Sequence, residues 1–261
     1  VTPLSRRSVR DRPLVLSIGV TDPYVAAGVS LDLFVADRLD VRPVMVVVGV
    51  SAQDGGALFR ILPIDAALIR EQLAALVELP IAAVRIGAIA SDDAITEVAR
   101  FLRRLDVPVV LDPVIASTSG GRFLDDAVLE AYVERLFPLA TLVTPNLPEA
   151  MELLGMSIAT LPEMAVAALA LTRRGARAVL LKGGHGSDPV VDVFCDGYDV
   201  RHFEAARLSG SMRGTGCLLA FTIAAALAHG YPLRTAIQSG RDIVQLLIPV
   251  ARLCGRNRVV P

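Results

Sequence analysis

The sequence predicts an α/β fold built on a mainly parallel sheet covered on both faces. Three observations carry this. Apolar runs rich in β-branched residues alternate with longer stretches of helical period from residue 14 to residue 181. The runs are continuously apolar, as strands buried on both faces are. The rhythm then changes after Lys182 to a hairpin and two closing helices.

In chain order, Leu14–Val20, Pro43–Val50, Ala83–Ala88, Val107–Leu111, Thr141–Thr144 and Ala178–Leu181 read as the buried strands. Between them Ile64–Glu78, Asp92–Leu105, Asp125–Phe137, Pro148–Leu154 and Leu161–Arg174 read as helices, each with small or acidic residues near its start. Val190–Cys195 and Val200–Phe203 flank Asp196-Gly197-Tyr198-Asp199, a hairpin signal. Cys217–His229 and Pro232–Leu253 read as helices, with Gly230 ending the first and Pro232 opening the second. No repeat, low-complexity linker or second composition regime divides the chain, so residues 13–261 are expected to form one domain behind a mobile basic arm at 1–12.

Composition narrows the function classes. With 26 basic and 27 acidic residues the formal charge is −1, too little positive charge for a general nucleic-acid binder. No apolar run reaches the roughly 18 residues of a membrane span. No secretory pattern follows the basic N-terminal segment, and three scattered cysteines (195, 217, 254) suit reduced thiols, so a cytoplasmic protein acting on a small molecule is expected. Lys182 is the sole lysine, and asparagine occurs only at 146 and 257, so each of these has persisted against a compositional bias.

Four segments at predicted strand ends or helix starts carry chemistry, where open α/β sheets bind ligands. Gly214-Thr215-Gly216-Cys217 opens an apolar helix, and its consecutive N–H groups at a helix N-terminus suit an anion. That field is expected to lower the Cys217 thiol; a tight turn ahead of a small core cysteine is the plainer alternative. Lys182-Gly183-Gly184 ends a strand, where a lysine reaches phosphate oxygens or else snorkels at a sheet edge. Asn146 and Glu149 offer oxygen ligands one helical turn apart, suited to Mg²⁺, or equally a helix cap. Asp112 ends an apolar strand, as a cap or a metal-binding carboxylate. His185 reads as a loop residue, and no Walker, zinc, nucleophile-elbow or Rossmann motif is present.

Taken in order, Leu111–Gly121 (LDPVIASTSGG), Leu139–Gly155 (LATLVTPNLPEAMELLG), Ala178–His185 (AVLLKGGH) and Gly214–Cys217 (GTGC) resemble the ribokinase superfamily. Within it the chain looks like the branch of hydroxymethylpyrimidine (phosphate) kinases and the bacterial pyridoxal kinases similar to them. The likeness runs from about Leu14 to Val250 and includes Thr21-Asp22-Pro23, Ala27-Gly28 and Asp32.

The resemblance implies a three-layer α/β/α fold with a small β-hairpin near 190–204. It also implies ATP and Mg²⁺ as cofactors, a homodimer, and phosphorylation of a pyrimidine hydroxymethyl group. Pyridoxal phosphorylation, or a non-catalytic binder with an altered pocket, stands as the alternative. Cys217 would be the base, with Gly214, Thr215 and Gly216 as the anion hole. Lys182 would touch ATP phosphates, with Asp112, Asn146 and Glu149 managing Mg²⁺, Asp112 and Glu149 as its carboxylate ligands. Asp32 and Gln53 would bond the substrate ring, and Val20 and Ala88 would lie against it.

The departures fall on the substrate side. Val20 stands for a common glycine, Ala88 for a common methionine, and Tyr24-Val25-Ala26-Ala27-Gly28 for a glycine-rich run. Ser211-Met212-Arg213 replaces Asn-Thr-His, and Thr118 replaces a common lysine. These changes imply a reshaped substrate pocket.

Overall fold

The structure is a computed structural model that describes residues 12–54, 57–115, 126–184 and 189–261. A nine-stranded sheet forms its centre. The strands are β1 (Leu14–Thr21), β2 (Arg42–Gln53), β3 (Leu58–Pro63), β4 (Ile81–Ile86), β5 (Val109–Leu111), β6 (Leu142–Val143), β7 (Val179–Leu181), β8 (Val190–Cys195) and β9 (Val200–Ala205). Their order is β3-β2-β1-β4-β5-β6-β7-β8-β9, parallel from β2 to β7 and antiparallel at both margins. The expected hairpin at 190–204 is β8–β9, and it continues the main sheet.

Alternate strand residues sort into two cores. Leu16, Ile18, Val84, Ile86 and Leu111 face one side, where they meet α2 (Ala66–Ala74), α3 (Asp92–Leu102), α4 (Asp126–Leu136), α5 (Leu147–Leu154) and α6 (Leu161–Arg173). Val15, Ala83, Val110 and Leu180 face the other, against α1 (Gly28–Ala36), α7 (Thr215–Ala228) and α8 (Leu233–Leu247). Two-residue periodicity thus yields helices on both faces and three layers.

The predicted strands all form, most of them shifted by a residue or two at their ends. The structure adds α1, the edge strand β3, and a second, two-stranded sheet of β10 (Arg252–Cys254) and β11 (Asn257–Val259). The last helix is corrected: α8 stops at Leu247, two residues before Pro249, and 252–254 is strand. Arg12, the final residue of the expected arm, pairs with Asp37 at 2.6 Å and Asp40 at 2.9 Å. Residues 1–11, Thr118, the Gly120-Gly121 pair and His185 lie outside the described residues.

The order β2-β1-β4 places β1 where consecutive connections leave in opposite directions. The crevice beyond the carboxyl ends of such strands is where an open α/β sheet receives a ligand. The loops after β1, β4, β5, β6 and β7 all end there.

Candidate active site

At those strand ends lies a cavity of about 280 Å³ lined by Cys217, Gly214, Thr215, Gly216, Lys182, Asp112, Asn146, Glu149, Gln53, Val20 and Ala88. The structure therefore brings together all the residues expected of the site except Asp32. A neighbouring cavity of about 400 Å³, under β8 and α8, shares Lys182, Gly184, Met212, Thr215 and Gly216 with the first. Two compartments meet at the sole lysine and the glycine turn.

The turn is built by backbone contact. Gly214 caps α7 with φ +79°, and a Cβ there would lie 1.9 Å from the Ala26 carbonyl oxygen, so only glycine fits. The first intrahelical bond runs from Leu218 N–H to Gly214 O (2.8 Å), leaving the amides of 215–217 ahead of the ladder. They sit at the positive end of a 14-residue helix.

Opposite the turn, Lys182 Nζ donates to Asp112 Oδ1 at 2.8 Å, and Thr144 Oγ1 donates to the same oxygen at 3.1 Å. Burial alone would lower Lys182, but Asp112 and Glu149 outweigh it and hold the ammonium above its ordinary value. Burial alone would raise Asp112, but Lys182 and Arg85 hold it below the usual carboxylate range. Asn146 and Glu149 form a reciprocal capping box at the start of α5: Glu149 N–H donates to Asn146 Oδ1 (2.8 Å) and Asn146 N–H to Glu149 Oε2 (2.7 Å). The cap and the cavity wall are one feature. Burial pushes Glu149 up to about 7 against the pull of Lys182, with Asp112 adding to the rise.

Arg85, which the sequence reading missed, is the hub of the site. It is fully buried on β4, its guanidinium 3.2 Å from Asp32 and 3.3 Å from Asp112, and it lines the cavity beside Cys217. Gly87 leaves the room: a Cβ there would meet Arg85 Nη1 at 2.6 Å. A charged residue inside an apolar strand was the available signal, since a fully buried arginine needs partners.

Two expectations are corrected here. Asp32 does not line the cavity. It is fully buried behind the wall, accepting from Ser17 Oγ (2.5 Å) and Arg85 (3.2 Å), because α1 turns it onto the sheet face carrying those residues. The Cys217 thiol is held above its ordinary value, not below it. Burial, Asp112 and Asp32 outweigh Arg85 and the Gly28 amide.

Burial pushes Asp32 up to about 6, against Arg85 and Ser17, from an ordinary 3.8. A raised carboxyl stabilises the fold fully below its unfolded value and loses that contribution as pH rises through about 6. The loss is on the order of 3 kcal/mol, and Asp32→Asn should flatten the stability profile between about pH 4 and 7 in urea unfolding. An unchanged slope in that variant would contradict the assignment.

Gln53 lies in the wall with Arg213, a second residue the sequence reading did not assign. Arg213 Nη2 donates to Gln53 Oε1 at 2.5 Å and lies 3.6 Å from Asp22. In the second cavity Asp192 accepts from Gly183 N–H (2.8 Å) and pairs with Arg241, anchoring the loop after Lys182.

The sequence pattern of the phosphomethylpyrimidine kinase family matches residues 22–258, nearly the whole chain and every residue just described except Ser17 and Val20. The chain belongs to this family. This phosphomethylpyrimidine kinase family chain is 36% identical over 242 residues to the hydroxymethylpyrimidine/phosphomethylpyrimidine kinase of Rhizobium meliloti, covering 91% of each. It is also 36% identical over 260 residues to the thiamine biosynthesis bifunctional protein ThiED of Geobacter sulfurreducens. That match takes in 97% of this chain and 52% of the relative, so the chain spans about half of the bifunctional protein.

Among solved structures, phosphomethylpyrimidine kinase from Clostridium difficile superposes with TM-score 0.80 at 27% identity, covering 90% of this chain and 99% of that one. The ADP complex of Bacillus subtilis pyridoxal kinase gives TM-score 0.85 at 28% identity, covering 93% and 94%. The family's fold is thus the three-layer architecture seen here.

Proposed function

We propose that this chain transfers the γ-phosphoryl group of ATP to the hydroxymethyl group of hydroxymethylpyrimidine, to its monophosphate, or to both, in thiamine biosynthesis or salvage. The observation that carries the reading is the meeting of two cavities at Lys182 and the 214–217 turn, with Cys217 on one side. A nucleotide in the larger cavity points its phosphates at the shared wall. An acceptor ring in the smaller one lies between Val20 and Ala88 with its hydroxyl at Cys217. The ADP complex of the Bacillus pyridoxal kinase, 28% identical, supports adenine-nucleotide use.

Cys217 orients the hydroxyl and takes its proton as the oxygen attacks phosphorus. Arg85 stabilises the resulting thiolate. The amides of 215–217 and Lys182 hold the charge on the phosphoryl oxygens as ADP departs, the positioning and charge stabilisation this reaction needs.

Asp112 and Glu149 fit a magnesium ion that keeps waters and phosphate oxygens, since such sites use one or two carboxylates rather than a full protein cage. Among the described residues no cluster of three metal-ligating side chains occurs. When bound there, Mg²⁺ neutralises the phosphate charge.

The test is product analysis by mass spectrometry with ATP and, separately, hydroxymethylpyrimidine, its monophosphate and pyridoxal. Addition of one phosphoryl group to a pyrimidine is the expected result. Product from pyridoxal alone would favour the second reading, and ATP binding without product from any of the three would leave a non-catalytic binder.

A homodimer and a cytoplasmic location belong to the same proposal. The edge strand β3 exposes Phe59 and Leu62, apolar groups suited to a subunit contact. Sedimentation should therefore give twice the chain mass, and Phe59→Glu should shift it toward the monomer; a monomeric wild type would contradict this. Among the described residues no helix is long and apolar enough to cross a membrane.

A further inference from the structure

The cavity wall made by the loop before α7 differs in chemistry from the rest of the site. Arg213 is only 10% exposed and lines the cavity, and its Nε has no hydrogen-bond partner. Its backbone is pinned on both sides: its own N–H donates to Arg258 O at 2.8 Å, and Gly214 follows at φ +79°. The side chain therefore projects from a fixed root.

Its neighbours form a directed chain. Ser51 Oγ donates its single proton to the Thr21 carbonyl (2.6 Å), so it accepts from Gln53 Nε2 (2.9 Å). That fixes the amide, with Oε1 towards Arg213, from which it accepts at 2.5 Å. One of the two lone pairs on the acceptor atom that Gln53 would offer a substrate is already engaged. Asp22 lies 3.6 Å away, beyond hydrogen-bond reach; its Oδ1 accepts from Tyr24 N–H at 3.0 Å, and its Oδ2 has no hydrogen-bond partner. Arg213 thus brings guanidinium N–H groups to the cavity beside one free Gln53 amide N–H, with the Asp22 carboxylate as its nearest counter-charge at 3.6 Å.

We propose that Arg213 is a specificity-determining residue that selects an acceptor molecule bearing an anionic oxygen group, favouring the phosphate monoester over the neutral alcohol. An arginine fork matches phosphate oxygens in geometry and charge. The neutral alcohol offers the fork no charge to pair with, so it gains less from Arg213 than the monoester does. The inference rests on the kinase reading for the identity of the two compounds.

The test compares kcat/KM for hydroxymethylpyrimidine and its monophosphate in the wild type, Arg213→Gln and Arg213→Lys, with Kd for the same compounds from calorimetry. The monophosphate-to-alcohol ratio should fall at least about tenfold in Arg213→Gln and less in Arg213→Lys, which keeps the charge but loses the fork. A residue that merely holds Gln53 in place would lower both substrates together and leave the ratio unchanged, which would overturn the proposal. So would a raised KM for ATP at an unchanged ratio, which would place Arg213 with the nucleotide. If Arg213→Gln does not fold, the Lys variant carries the test through the same ratio. Wild-type turnover of neither compound, with monophosphate binding still selectively weakened in the variants, would remove the kinase reading and keep this one.

Discussion

Replacing Cys217 by alanine is expected to lower kcat by about 10²–10⁴-fold, the usual contribution of a positioned acid–base group. The thiol lines the cavity at the mouth of α7 and lies beside Arg85, a cation placed to stabilise its thiolate. Its side chain is small and only half-buried at the edge of the second core, so the thermal midpoint should stay within a few degrees of the wild type. Because burial holds the thiol above its ordinary value, the base works from a minority thiolate. The wild-type rate should therefore rise with pH through the neutral range, and the alanine variant should lose that rise. Steady-state rates across pH, read beside melting curves, check both points. Wild-type turnover in Cys217→Ala would show that another group takes the proton.

Gly214→Ala should lose both stability and catalysis. Backbone at φ +79° costs a side-chain-bearing residue about 1–3 kcal/mol, and here the added methyl also meets Ala26 O at 1.9 Å and Leu31 Cδ2 at 2.9 Å. The loop must move, and the amides of 215–217 move with it. Loss of aligned donors at such a site lowers kcat by about 10²–10³-fold. Gly230 supplies the control: its φ is +84° but nothing lies within 4 Å of an added Cβ. Gly230→Ala should carry the backbone cost alone, with turnover retained. Equal turnover in the two variants would refute the assigned role of the turn.

Most of the fold was legible because its strands are continuous apolar runs buried on both faces, and the alternation within each run sorts residues between the two cores. Three elements were not. α1 begins in Gly28-Val29-Ser30 and is apolar nearly throughout, so it shows no amphipathic stripe. β3 is six residues ending in proline, half-exposed at an edge and made a strand by pairing with β2. The β10–β11 hairpin turns at Gly255, and the apolar residues before it read as a continuation of α8 past Pro249.

The site divides in the same way. Lys182, Asp112, Asn146, Glu149 and the 214–217 turn announce themselves by residue type at strand and helix ends. Arg85 and Arg213 do not, since their meaning comes from partners up to 160 positions away in sequence. Asp32 misled because its side-chain direction depends on a helix whose rotation only packing decides.

The most direct test follows the phosphoryl group itself. With γ-labelled ATP and hydroxymethylpyrimidine or its monophosphate, the wild-type protein should place the label in the pyrimidine phosphoester. Cys217→Ala should bind ATP with unchanged Kd and transfer label at least about a hundredfold more slowly. Label that stays in ATP, or appears only as inorganic phosphate, would contradict phosphoryl transfer at the 214–217 turn; equal transfer by the two proteins would contradict the role of Cys217 in it.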